Sequence, residues 1–275
     1  MMRLPEVTAD FLRANPLPAP ARGGDKQERG RVLVIAGSVE VPGAALLAGL
    51  SALRAGAGIL QIATCRSVAP HLGMAMPEAM VISCSETSSG EIDPSNATRL
   101  AGLASGCDAV LIGPGMMDDD AVGALISTLI EQTDGPAFVF DAAAFTCLQK
   151  TMEVLGKHAG RTVVTPHSGE MAKFLEVERS EIEADPLTAA RGAANRLQSV
   201  VAYSHRRSEW RSVAVRSRPD CASDVRIGGY ASGNTCRITG EGCVAGSGNT
   251  LGGLPARGGR TAASPAQWHI GNACS

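Results

Sequence analysis

The chain of 275 residues has eight cysteines and no C-x-x-C pair among them, so the usual spacing of a zinc site or a redox dithiol is missing. It has no run of about 18 apolar residues of the kind that crosses a bilayer. Its opening stretch, MMRLPEVTADFLRANPLPAP, lacks the continuous apolar segment of a secretory leader. Charge of either sign is not in excess: 25 Lys and Arg stand against 27 Asp and Glu, a net of -2. With a pI near 6.2, general electrostatic attraction to nucleic acid or to an anionic membrane is excluded. These absences predict a cytoplasmic protein whose thiols (Cys65, Cys84, Cys107, Cys147, Cys221, Cys236, Cys243 and Cys274) are reduced and mostly buried. A further absence is local: no lysine occurs from 201 to 275.

What is present is a regular alternation. Short aliphatic runs at 31–37, 58–64, 79–83, 108–113, 136–141, 161–165 and 199–202 are too brief and too continuously apolar for half-exposed strands. They suit a parallel sheet covered on both faces, with helices in the gaps. The first helix is predicted from Pro42, in a first turn, to a stop at Gly56, with Leu46, Leu50 and Leu53 on one stripe. The fold class is therefore doubly wound α/β. In such folds ligands gather beyond the carboxyl ends of the strands.

Four strand-to-helix junctions draw attention. In AGSVEVPGAA (36–45), Gly37 and Ser38 lead to a helix start made of Pro42, Gly43, Ala44 and Ala45. Such small residues either bring a ligand's anion or carbonyl oxygen close to backbone N–H groups, or merely supply turn dihedrals. In DAVLIGPGMMDDD (108–120), Gly113, Pro114 and Gly115 make a stiff turn with room for a flat ligand. Asp118, Asp119 and Asp120 there read as helix capping and solvation rather than metal ligands. Asp141 ends the apolar strand of FVFDAAAF, as a helix cap or a site residue. The fourth junction, RTVVTPHSGEMAKF (161–174), is the most specific: His167 and Glu170 stand at the mouth of a strand, with Ser168 placed to cap the helix that follows. A lone histidine is usually structural, but this position points to ligand contact.

Taken in order, G-S-x-x-x-P-G-A-A, G-P-G, D-A and T-P-H-x-G-E resemble the carbohydrate-kinase-related NAD(P)H-hydrate dehydratases over residues 30 to about 202. The resemblance implies a ribokinase-like fold, mostly parallel in its sheet, and a repair reaction. Water added across the C5–C6 bond of the reduced nicotinamide ring is removed, while ADP or ATP serves as co-substrate, with Mg2+. Hydroxide is a poor leaving group, and transfer of a phosphoryl group to it makes a better one. By the same resemblance Ala44, Gly115 and His167 contact the hydrated NADH or NADPH, and Glu170 and Asp141 support them. One departure is visible, because many members read D-A-D where this chain has Asp141-Ala142-Ala143. Expected partners are small nucleotides, with a homo-oligomer compatible and an NAD(P)H-hydrate epimerase on a separate chain, since residues 1–29 are too few to hold one.

The family also needs a lysine-glycine-alanine turn and an A-T-x-G-S-G-D stretch that supplies an anion hole and a catalytic aspartate. Neither follows residue 202, so no catalytic residue is identified in frame. Residues 201–275 hold both tryptophans, four cysteines, nine arginines and only two leucines, with no followable helical or strand period. Read one base out of frame, permissible codons for residues 221–245 give A-P-A-T-S-G-S-G-D-T-L-A-G-I-L-A-G-S-L-A-R-G-A-S, the missing motif and its helix. The resulting division is an N-terminal extension (1–29), an incomplete ribokinase-like domain (30–202) and a tail outside the family (203–275), degraded or disordered and ascribed to a frameshift. The in-frame G-S-G-N-T-L at 246–251 is set aside as a site, and Asn249 could not act as a base in any case. Loss of the last strands predicts exposed apolar sheet and aggregation. Two other functions suit the same fold: a small-molecule kinase, and a non-catalytic nucleotide-binding remnant.

Overall fold

The computed structural model describes residues 6–7, 9–14, 25–197, 200–206, 210–216 and 225–228. Its strands are β1 (Glu6–Val7), β2 (Arg31–Ile35), β3 (Ile59–Cys65), β4 (Met80–Cys84), β5 (Ala109–Ile112), β6 (Ala137–Phe140), β7 (Thr162–Val164), β8 (Val200–Arg206), β9 (Trp210–Arg216) and β10 (Val225–Gly228). The helices are α1 (Ala9–Ala14), α2 (Pro42–Arg54), α3 (Ala69–Ala75), α4 (Ala97–Ala104), α5 (Asp119–Gln132), α6 (Ala142–Cys147), α7 (Met152–Leu155), α8 (Ser168–Leu175), α9 (Arg179–Ala184) and α10 (Pro186–Leu197). All seven strands expected from the aliphatic runs are present.

One sheet joins the strands in the order β1-β10-β9-β8-β7-β6-β5-β2-β3-β4. From β8 to β4 every pairing is parallel. The two-residue period of a strand sends alternate side chains to opposite faces of this sheet. Leu33 and Ile35 of β2 enter a large core with Val110, Ile112, Phe138 and Phe140, covered by α4, α5, α6, α8 and α10. Val34 and Ala36 turn the other way, to Leu60, Ile62, Leu72 and Met76 under α2 and α3. With both faces buried, alternation has no polar side to show, and the strands read as continuous apolar runs. The Leu46, Leu50 and Leu53 stripe packs against this second core, and the helix ends before Gly56, whose φ of 102° is left-handed.

Past residue 202 the structure departs from expectation. β8 continues to Arg206, β9 pairs with it antiparallel from Val200↔Arg216 to Arg206↔Trp210, and β10 pairs antiparallel with β9. The β8 edge is therefore covered by further strands rather than left open. Y-S-H-R and S-V-A-V-R are not the continuous apolar runs that announce the inner strands, because outer antiparallel strands need not be apolar on both faces. The expectations for 229–275, Asn249 included, lie outside the described residues.

Candidate functional site

The four junctions follow β2, β5, β6 and β7, which are neighbours in the sheet. Residues spread from 37 to 170 are thereby brought along one edge, at the carboxyl ends of the strands. Backbone hydrogen bonds stitch the loops together. The Gly37 N–H donates to the Pro114 carbonyl (2.7 Å), Gly113 to Ile35 (3.1 Å), Asp141 to Ile112 (3.0 Å) and Thr165 to Phe140 (3.1 Å).

The turn at 113–115 requires glycine. Gly115 has φ 73°, and a Cβ there would stand 2.5 Å from the Ala44 Cβ and 2.8 Å from the Val41 carbonyl oxygen. A Cβ on Gly113 would collide with the Asp141 carbonyl oxygen. Ala44 and Gly115 are thus in close approach, as the resemblance implied for two contacts of one ligand. α2 begins at Pro42 with no side-chain cap from Val41, so the small residues of its first turn border an uncapped amino end, which favours an anion or carbonyl oxygen. By contrast, Asp118 caps α5 by accepting from Asp120 and Ala121 N–H groups, both at 3.1 Å. The Ala121 amide and then the Ser89 hydroxyl hold its carboxyl below the usual value. That fulfils the capping expectation at Asp118.

One expectation is corrected. His167, not Ser168, caps α8: its Nδ1 accepts from the N–H groups of Gly169 (3.0 Å) and Glu170 (3.2 Å), and the Glu170 Oε2 accepts from the His167 N–H (2.8 Å). An imidazole nitrogen that accepts carries no proton, so the proton sits on Nε2, 3.2 Å from the Glu170 Oε1. Glu170 therefore grips His167 twice, while the ring stays 68% exposed. Asp141 occupies the N-cap position of α6 but makes no capping bond; its Oδ1 accepts instead from the Thr165 hydroxyl (2.8 Å). Burial pushes the Glu170 carboxyl up, the His167 amide and ring pull it down, and the Asp141 charge raises it again. The Asp141 charge thus reaches Glu170 across the β6 and β7 ends.

The D-A-D departure also has a physical reading. Ala143 is buried among the apolar side chains of the large core, where an unpaired carboxylate would be costly. Ala142 just before it has φ 48°, a left-handed conformation that costs a non-glycine residue about 1–3 kcal/mol and is found preferentially at functional sites.

Two participants escaped the sequence reading. Thr165 orients Asp141, and Glu91, in the polar loop SSGEID, is 2% exposed. The Oε1 of Glu91 accepts from the Met117 N–H (2.8 Å) just past the glycine turn, while its Oε2 has no partner among the described residues. Burial pushes its carboxyl up, and the charges of Asp118 and Glu40 add to this against the Met117 and Asp118 amides. A glutamate in a polar loop ordinarily signals solvation; nothing in the sequence marks this one as buried.

A profile of the NAD(P)H-hydrate dehydratase family matches residues 32–207. The ADP-dependent (S)-NAD(P)H-hydrate dehydratase of Xanthomonas campestris is 42% identical over 252 residues, 92% of this chain and 79% of that one. That coverage carries the similarity beyond residue 207. Of two bifunctional NAD(P)H-hydrate repair enzymes the chain spans 36% of the length. Among solved structures, the ADP/ATP-dependent NAD(P)H-hydrate dehydratase of Bacillus subtilis, co-crystallised with ATP and Mg2+, superposes with a TM-score of 0.63 at 26% identity, over 90% of this chain and 77% of that one. A ribokinase-like protein of Enterococcus faecalis superposes at 0.65 with 20% identity, over 82% and 72%, and supports the fold. The chain belongs to the NAD(P)H-hydrate dehydratase family.

Proposed function

We propose that this chain is a nicotinamide-nucleotide repair protein that binds hydrated NADH or NADPH at the carboxyl edge of its sheet, for dehydration with ADP or ATP as co-substrate. The observation that carries this is the convergence of four separate junctions on one edge, with Ala44 against Gly115 and with His167 fixed by Glu170. In this reading Ala44 and Gly115 form a flat, side-chain-free seat for the ring. The exposed His167 ring, its proton on Nε2, contacts the substrate, and Glu170 and Asp141 hold the polar groups in place. Because those atoms are fixed before the ligand arrives, little ordering remains to be done on binding.

The nucleotide half of the reaction needs groups that residues 30–202 do not supply. The Mg2+ implied by the resemblance finds no group of three or more His, Cys, Asp or Glu side chains able to hold it among the described residues. We ascribe the loss of the lysine-glycine-alanine turn and the A-T-x-G-S-G-D stretch to a one-base shift near residues 202–204, and expect turnover by the chain as written to be impaired. Among the described residues no helix is long and apolar enough to cross a membrane, in keeping with a cytoplasmic place of action, and an epimerase on a separate chain would complete the repair.

The test has two parts. Recovery of NADH from its hydrate is followed with ADP and with ATP, and the gene is resequenced from codon 190 to the stop. The reading predicts hydrate binding that His167→Ala weakens, with little turnover. If a base is missing or extra, the corrected chain should turn over. Full turnover by the chain as written would contradict the impairment, and phosphorylation of a hydroxylated small molecule in place of hydrate binding would favour a kinase.

A further inference from the structure

Between the carboxyl ends of β2, β4 and β5 lies a cleft of about 220 Å³, lined by Ser38, Glu40, Ser89, Glu91, Met117 and Asp118. It adjoins the glycine seat, for Met117 is two residues past Gly115 and Ser38 follows Gly37. Its lining is rich in acceptors. The Ser89 hydroxyl is directed to the Asp118 Oδ2 (3.0 Å), and the Ser38 Oγ accepts from the Val41 N–H (3.1 Å). Glu91 is the unusual member. Only 2% of the residue is exposed, one oxygen is spoken for by Met117, and the other, Oε2, has no partner among the described residues. A buried polar atom left without a hydrogen bond is costly enough that it calls for an explanation.

The chemistry of the lining narrows what could satisfy that oxygen. Among the described residues no Lys or Arg lines the cleft, and its charged members are all acidic, so phosphate is repelled. No set of three or more ligating side chains converges to hold a metal ion among the described residues. An uncharged group that donates hydrogen bonds remains. We propose that this cleft is a subsite for the uncharged, donor-bearing part of the hydrated nicotinamide nucleoside, its carboxamide N–H or a ribose hydroxyl, with the Glu91 Oε2 as acceptor. This rests on the reading of the carboxyl edge as a nicotinamide-nucleotide site. The acidic lining then also orients the ligand, because the phosphate-bearing stretch must leave in another direction.

Glu91→Gln separates the subsite from a merely structural peg. The amide oxygen of glutamine still accepts from the Met117 N–H, while an NH2 group replaces the acceptor at Oε2. Calorimetric titration of NADH hydrate into the full chain should give binding about tenfold or more weaker in Glu91→Gln than in the wild type, with a melting midpoint no lower. Two ligand variants name the donor. A hydrate with acetyl in place of the carboxamide, or one without the 2′-hydroxyl of the nicotinamide ribose, should bind the wild type more weakly yet bind Glu91→Gln as NADH hydrate does. The proposal is overturned if Glu91→Gln binds NADH hydrate within about twofold of the wild type, if it weakens binding only together with a fall in melting midpoint, or if neither ligand variant discriminates. If His167→Ala weakens binding and Glu91→Gln does not, the subsite alone fails. If the wild type does not bind NADH hydrate, the repair reading fails with it.

Discussion

The two edges of the same sheet are built differently. At the amino edge, side chains fill the turns: the Asp108 Oδ2 accepts from the Arg31 N–H (2.7 Å), Arg161 donates to the Gly135 carbonyl (2.8 Å), and the buried His158 Nε2 meets the Ile130 carbonyl (3.0 Å). At the carboxyl edge the turns after β2 and β5 are joined backbone to backbone, through Gly37 and Gly113, and Gly115 lies against Ala44 with no side chain of its own. One edge closes on itself, and the other keeps a seat open. The lesson is that a ligand site here is marked as much by the bulk that is missing as by the groups that are present.

The sharpest way to break the comparison is a pair of left-handed glycines, one at each edge. Gly135 has φ 111° with nothing within 4 Å of an added Cβ, whereas a Cβ on Gly115 meets Ala44 and the Val41 carbonyl. Gly135→Ala should cost about 1–3 kcal/mol of stability through its backbone alone and leave hydrate binding unchanged. Gly115→Ala carries the same strain plus overpacking of about 1–3 kcal/mol. Displacing the seat should weaken hydrate binding by roughly a hundredfold, measured by titration beside thermal melting. Equal binding losses in the two variants would erase the distinction between the edges.

That distinction was partly legible beforehand. Residues such as Val34 and Phe138, buried on doubly covered strands, announce themselves as apolar runs, and G-P-G and T-P-H-x-G-E mark the junctions. Ser168 as a cap was a fair inference from residue type, and it failed because the His167 Nδ1 reaches the same N–H groups from one position earlier. Glu91 was invisible because its burial comes from a loop folding over others, with the Gly90 carbonyl accepting from the Val39 N–H (2.9 Å). β9 and β10 were missed because they do not read as continuous apolar runs, and outer antiparallel strands do not need to.

The two histidines give the next contrast. His167→Ala removes a cap that accepts two N–H groups and should cost about 0.5–2 kcal/mol, together with hydrate affinity. His158→Gln should leave affinity alone and change pH dependence instead. Burial holds the His158 pKa below 6.5, so its contribution is intact above that value and lost as pH falls below it, where the unfolded chain takes up the proton first. A series of melting curves from about pH 5 to 8 should slope less in the variant. A smaller effect of opposite sign belongs to Glu91. Its folded pKa is raised above 4.5, so stability present below that value is lost as pH rises through the folded value. Glu91→Gln should therefore melt no lower than the wild type at neutral pH, and its advantage should vanish under acid.

The account turns on where the hydrate binds. Amide hydrogen exchange of the full chain, with and without NADH hydrate, reads both edges at once. The prediction is slower exchange in the loops after β2, β5, β6 and β7, around residues 37–45, 113–118, 141–144 and 165–170, with the turns at 134–136 and 156–161 unchanged. Protection confined to the amino-edge turns, or none at saturating hydrate, would contradict the placement of the site.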